Sequence, residues 1–273
     1  MIILKPKTEF KVPVEAECIS PDLFSGKSME ELKGLRILCG NKWRELGDAF
    51  DIEKTSENSE EIVISGDVSC IKHIGAGMSR GRIVIDGDVG MHLGREMKGG
   101  EIIVHGCVGD WLGAEMSGGL IRVKGDAKNL VGSGYRGSKV GMKGGTILIE
   151  GDAGHEVGEL MRRGTIVIQG NMGSLAGALM TGGSIVCFGN AGERAGAGMD
   201  RGTILMFNLP ELLPTFRYSC TYNPIFIRTF LPKLKNYGLP IKKEHTEGLY
   251  DRYCGDVAAL GKGEILVWKG GMT

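Results

Sequence analysis

The stretch Gly94-Arg-Glu-Met97-Lys-Gly-Gly100-Glu-Ile102-Ile-Val104-His-Gly106 decides the fold, because the chain returns to the same frame again and again. Aligned on the methionine, the copies centre on Met78, Met97, Met116, Met142, Met161, Met180 and Met199, with five steps of 19 residues and one of 26. The frame is carried by Gly94, Met97, Gly100 and Gly106, then by Gly113, Met116, Gly119 and Gly125. It recurs in Gly158, Met161, Gly164 and Gly170, and in Gly177, Met180, Gly183 and Gly189. Gly196, Met199 and Gly202 form a last copy without the closing glycine, and Gly81 follows Met78 in the first. In the copy centred on Met142, Lys139 stands where the others have the glycine three before the methionine.

A fixed period with one short alternating strand per unit marks a solenoid. The pairs Ile83/Ile85, Ile121/Val123 and Ile166/Ile168 put one row of side chains inward, with the residue between them facing out. The glycines mark corners, and their frequency argues against helix in this region. The expected class is all-β: a right-handed parallel β-helix of about seven coils, stacked at about 4.8 Å into a rod of roughly 30–35 Å. The methionines, one per coil at an equivalent place, read as adaptable filling of the interior and not as soft metal ligands.

Outward from the repeat, the chain divides into a cap segment at 1–57, the glycine-rich coils at 58–207 and an arm at 208–273. In the cap, Met1 to Leu4, Phe10 to Val14 and Leu35 to Cys39 read as strands, Ser28 with Glu31 as a capping box, and Glu53 to Glu61 as an exposed connection. Glu61 to Gly66 reads as a degenerate first rung, which would cover the strand edge of the first coil. In the arm, Pro224 to Tyr237 is expected to be helical, to cap the last coil or flank the rod, and Gly263 to Trp268 to form a final strand.

Three columns bear on function. Asp88, Cys107, Asp126, Asp152, Asn171 and Asn190 follow the closing glycine, where Asp and Asn suit a turn. Asp86, His105, Lys124, Glu150, Gln169 and Phe188 precede it and face out. His73, His92 and Trp111 share a column five before the methionine and read as a stacked or partner-facing row. The insertion Gly132-Ser-Gly134-Tyr-Arg-Gly137 has dinucleotide-binding spacing but no helix pattern after it, so it reads as a bulging contact loop.

The 33 basic and 33 acidic residues balance, which predicts neither nucleic acid nor an anionic membrane as partner. Cys18, Cys39, Cys70, Cys107, Cys187, Cys220 and Cys254 form no Cys-x-x-Cys pair, which disfavours zinc and iron–sulfur sites and predicts free thiols in the cytoplasm. No Ser/His/Asp or Cys/His arrangement, calcium nonapeptide or sugar-binding aromatic platform can be read from spacing. The residues therefore predict a scaffold with no catalytic, cofactor-binding or metal-binding residue of its own.

The frame, as in Gly113-Ala-Glu-Met116-Ser-Gly-Gly119-Leu-Ile121-Arg-Val123-Lys-Gly125, resembles the tandem repeat in the C subunit of formylmethanofuran dehydrogenase. It is also similar to the C-terminal β-helix of the glutamate synthase large subunit. The N-terminal segment and the proline-rich tail ending near Trp268 favour the first resemblance. It implies a non-catalytic member of a complex that reduces CO2 with ferredoxin electrons and forms formylmethanofuran, the first step of methanogenesis. The A, B and D subunits and ferredoxin-like subunits would be the partners. A tungsto- or molybdopterin and iron–sulfur clusters would sit on the B subunit, and a binuclear metal centre on the A subunit. The alternatives are a β-helix supporting an amidotransferase and a free-standing carbohydrate enzyme.

Overall fold

The computed structural model describes residues 1–55 and 60–270. The N-terminal block contains β1 (Ile2–Pro6), β2 (Val14–Glu15), α1 (Pro21–Phe24), α2 (Met29–Lys33), β3 (Arg36–Cys39), β4 (Lys42–Glu45), α3 (Leu46–Ala49) and β5 (Phe50–Lys54). Next come β6 (Glu61–Ser65), β7 (Ile71–Lys72), β8 (Arg82–Asp86), β9 (Glu101–Val104), β10 (Leu120–Val123), β11 (Lys143–Ile149), β12 (Arg163–Ile168), β13 (Thr181–Cys187) and β14 (Arg201–Met206). The arm adds β15 (Arg217–Tyr222), α4 (Ile227–Lys235), α5 (Lys243–Glu247), β16 (Leu249–Gly255) and β17 (Lys262–Gly270).

The all-β expectation holds. One 13-stranded sheet runs β15-β16-β17-β14-β13-β12-β11-β10-β9-β8-β6-β1-β5, and it is parallel from β17 to β1. Neighbouring strands pair in the register of the repeat, as Ile83↔Ile102, Ile102↔Ile121 and Ile121↔Ile147. A second column of parallel bridges joins Val68, Val89, Val108, Ala127, Ala153, Met172 and Ala191. A third column is held by backbone bonds such as Gly94 N–H to Ile74 O and Gly113 N–H to Leu93 O. Three hydrogen-bonded columns thus join each repeat to the one before.

Inside the turns, Met78, Met97, Met116, Met142, Met161, Met180 and Met199 are completely buried with the Ile/Val pairs. The glycine three after each methionine is a place of close approach. A Cβ on Gly119 would lie 2.7 Å from Met97 Cε and 2.9 Å from Gly100 O. The same relation joins Met199 to Gly263, whose added Cβ would meet Met199 Cε at 2.6 Å. Thus β17, reached after the whole arm, completes the repeat on β14, in the register Ile204↔Ile265.

Several expectations need correction. Phe10 to Pro13 is not strand. Only Val14–Glu15 pairs, because Pro13 has no N–H to give a ladder. Glu53 and Lys54 belong to β5, antiparallel to β1, and Glu61 opens β6, so the exposed connection shrinks; residues 56–59 lie outside the described residues. Helix α4 starts at Ile227, three residues beyond Pro224, and contains Pro232. The Ser28/Glu31 capping box and the strand at Arg36–Cys39 form as expected.

The gap at Lys139 results from aligning on the methionine. The corner glycine of that turn is Gly132, at φ +67°, whose added Cβ would meet Ile166 Cδ1 at 2.7 Å. Gly113 stands in the same relation to Ile147 Cδ1, at 2.5 Å. The extra residues therefore enter after the corner, between Gly132 and Met142, and Ile147 still pairs with Ile121 on one side and Ile166 on the other.

Candidate partner-binding surfaces

The first surface is a corner. The residue five before each methionine takes a positive φ whether or not it is glycine: 65° at His73, 64° at His92 and 59° at Trp111. With their backbones turned alike, their side chains stack. The rings of His73 and His92 lie 4.6 Å apart at 6°, and those of His92 and Trp111 lie 5.2 Å apart at 20°. Tyr135, from the insertion, folds back on the row, with its hydroxyl 2.8 Å from His92 Nδ1. Burial, helped by the neighbouring His73, pushes His92 down to about 4, and burial lowers His73 as well. The row is thus neutral and half-buried. His73 Nδ1 and Trp111 Nε1 are buried without a hydrogen-bond partner.

The second feature is a ladder. Asp88 Oδ1 accepts the N–H of Cys107 at 2.7 Å, Asp126 that of Asp152 at 2.8 Å, Asp152 that of Asn171 at 2.7 Å, and Asn171 that of Asn190 at 2.9 Å. Cys107 puts a sulfur in the same place, 3.4 Å from the N–H of Asp126. The column ties each turn to the next. One oxygen of each of these aspartates is engaged along the stack, and among the described residues no three His, Cys, Asp or Glu converge as metal ligands do.

The third surface is the outer face of the 13-stranded sheet. Strand alternation predicts that the residue between the inward pair faces solvent along the whole stack. From β11 onward this is wrong: Leu148, Val167, Val186 and Leu205 are at most 2% exposed. They are covered by the arm, which lays Ile227, Leu231 and Leu234 of α4, together with Leu239, Ile241 and Tyr250, on them. The flanking column changes character at the same border. His105 Nδ1 meets Asp86 Oδ1 at 2.6 Å in the open part, and Glu150 takes the Arg122 guanidinium at 2.7 Å. Farther on, Phe188 stacks on Phe207 at 4.5 Å, with His245 and Trp268 packed beside them. At the outer end of the arm, Tyr218, Ile225 and Phe226 are exposed, Ile225 by 80%.

Sequence reading found the aromatic column and the Asp/Asn column. It missed that Gly263-Glu-Ile-Leu-Val repeats Gly202-Thr-Ile-Leu-Met, a likeness concealed by the residues between them. Among the described residues, no helix is long and apolar enough to cross a membrane.

No protein-family model matches the chain. Over 89 residues, 33% of the chain, it is 47% identical to the C subunit of the molybdenum-containing formylmethanofuran dehydrogenase 1 of Methanothermobacter marburgensis. Over 93 residues, it is 44% identical to the C subunit of the tungsten-containing formylmethanofuran dehydrogenase 2 of Methanothermobacter wolfeii. These matches span 22% of the first relative and 34% of the second. Among solved structures, the chain is similar to one chain of the formyltransferase/hydrolase complex (FhcABCD) from Methylorubrum extorquens, determined in complex with methylofuran. That likeness has a TM-score of 0.90 and 35% identity, and covers 97% of this chain and 98% of the other. Over nearly its whole length the chain thus belongs to one family with that chain of the FhcABCD complex, and a third of it is similar to C subunits of formylmethanofuran dehydrogenases.

Proposed function

We propose that the chain is a structural subunit of an enzyme complex that handles a formyl group on a furan carrier. The observation that carries this reading is the extent of the likeness to a chain of a multisubunit complex, which takes in the N-terminal block, the stacked turns and the arm alike. In this reading the frame glycines and methionines hold up a rod of fixed spacing. The parts 1–57, 58–207 and 208–273 act as cap, rod and arm. The turns wind right-handed, as connections between parallel strands of one sheet nearly always do. The chain works in the cytoplasm and carries no active site, and its neighbours supply the chemistry.

As part of a dehydrogenase it would hold the A, B and D subunits and ferredoxin-like subunits. Those partners would carry a tungsto- or molybdopterin, iron–sulfur clusters and a binuclear metal centre, and would reduce CO2 with ferredoxin electrons. A second reading, a formyl-transferring and formyl-hydrolysing complex, draws on the fact that the whole-chain likeness is to such an assembly, whereas the matches to dehydrogenase subunits are segmental.

Purification of the tagged chain from its native cell, with identification and metal analysis of what accompanies it, tests both. Stoichiometric tungsten or molybdenum in the assembly supports the dehydrogenase. Formyltransferase and hydrolase activity without either metal supports the second reading. A chain that purifies alone, or that itself binds tungsten, molybdenum or iron in stoichiometric amount, refutes the structural role. Charge reversal at Asp86, His105, Lys124 and Glu150 is a cleaner probe of assembly than deletion of the arm. Deletion would also remove β17 from the stack and expose β14.

A further inference from the structure

Row by row, the outer face of the sheet has one central line of side chains. It runs Ile3, Val63, Val84, Ile103, Arg122, Leu148, Val167, Val186, Leu205 and Leu266, each opposite the next in register. The last five are 0–2% exposed beneath the arm. The first four are only half-buried, and among the described residues they have no part in the cluster that the arm's helix forms. The border is sharp. Arg122 turns aside to pair with Glu150, and Gly238 of the arm sits beside its guanidinium. The same sheet face is thus finished at one end and open at the other.

We propose that the open half, Ile3, Val63, Val84 and Ile103, receives an amphipathic helix of a folded partner subunit, continuing the layer that α4 begins. Three observations select this occupant. The stripe is one residue wide on a sheet face, so it presents side chains and no free backbone groups; an α-helix with one apolar line is the element that covers such a face. The chain does this itself with Ile227, Leu231 and Leu234, spaced for one side of a helix. The polar groups that border the stripe are largely engaged within the chain: Arg82 lies 3.7 Å from Glu61 and 3.2 Å from Glu101, and His105 Nδ1 meets Asp86 Oδ1 at 2.6 Å. That surface suits an apolar line with mixed polar flanks and does not suit a polyanion.

Three strand spacings of about 4.8 Å span roughly 14 Å, or about ten residues of helix at 1.5 Å each. A contact of that size is smaller than a stable interface, which buries about 1,200 Å² or more in total. The helix therefore belongs to a folded subunit with further contacts and is not a free peptide.

This inference rests on the reading of the chain as a subunit of a complex, and the test separates the two. The full-length chain carrying Val84→Lys and Ile103→Glu is purified from its native cell beside the wild type. In a parallel preparation, p-benzoylphenylalanine at position 103 is photo-crosslinked in the intact complex and the joined peptide is sequenced. The expected results are at least about a tenfold loss of one co-purifying subunit, an unchanged melting temperature of the isolated variant chain, and a crosslink to that subunit. The joined peptide should carry apolar residues at i, i+3 or i+4, and i+7. An intact complex with the double variant overturns the helix-docking proposal and leaves the subunit reading standing. So does a crosslink to a second copy of this chain or to an extended segment. A wild-type chain that brings down no subunit overturns both. If the double variant fails to fold, the crosslink alone decides.

Discussion

Replacing Gly119 by alanine measures how tightly one turn sits on the one before. Gly119 takes φ +89°, which costs an L-residue about 1–2 kcal/mol. An added Cβ would stand 2.7 Å from Met97 Cε, 2.9 Å from Gly100 O and 3.0 Å from Gly99 C. Met97 is fully buried and has no room to withdraw, and Gly100 O is held by the N–H of Leu120 at 3.0 Å. Relief of these contacts overpacks the core or stretches that bond, for a further ~1–3 kcal/mol. The expected destabilisation is about 2–5 kcal/mol. Gly137, on the insertion, supplies the control. Its φ is +90°, but an added Cβ would meet nothing within 4 Å. Gly137→Ala therefore incurs the backbone cost alone, about 1–2 kcal/mol. The two variants are compared by denaturant titration followed by circular dichroism. Equal midpoints would show that conformation, and not contact between turns, explains the glycine, and the packing of glycine against the methionine column would lose its energetic meaning.

Met97→Asp or Ile102→Asp buries an uncompensated carboxylate between turns and is expected to cost several kcal/mol, read as a collapse of the melting temperature. His92 is held neutral by burial, so the unfolded chain takes up a proton on this residue near pH 6.5 while the folded chain waits until about 4. Its contribution to stability is therefore complete above pH 6.5 and is lost as pH falls from there to about 4. His92→Phe keeps the stack and should flatten that part of the stability–pH curve; an unchanged slope would assign it to other groups. Asp152→Ala removes the acceptor of the Asn171 N–H and should cost about 1 kcal/mol, whereas Asp152→Asn, which copies the neighbouring rung, should cost little. Burial would raise the Asp22 carboxyl, but hydrogen bonds from Ser79 and Ser20 and the Arg80 charge hold it below its ordinary 3.8. The stability it lends is present above that value and lost as pH falls further, so Asp22→Asn should lose the acid-dependent part of stability below about pH 4.

The repeat was legible because each unit writes its own geometry locally. Ile102 and Val104 point inward by strand alternation, and Gly119 must be small because of Met97, one unit away. What could not be read is long-range. Nothing near Leu148 or Val186 says that a helix some 40–80 residues later will cover it. Nothing in Met1 to Leu4 says that β1 will pair in parallel with β6. Positive φ at His73, His92 and Trp111 was equally hidden, since these residues carry no glycine signature; their shared column was visible and their shared backbone was not. In the turn with the insertion, alignment on Met142 concealed Gly132 as the corner, because the extra residues fall between the two.

The turn with 26 residues has a consequence for how such a rod can change. Its extra seven residues leave Ile121 opposite Ile147 and Ile147 opposite Ile166, as in the ordinary turns. Corner insertions thus alter the surface and leave the length alone. Adding or losing a 19-residue unit does the reverse, since it moves the two ends by one strand spacing of about 4.8 Å and by nothing smaller. The chain is a gauge graduated in whole strands. If partners grip both the N-terminal block and the arm, a change in the number of units misplaces one grip by a full graduation. Variation among chains held in that way should then collect in corner loops such as the one carrying Tyr135, while the count of turns between the grips stays fixed.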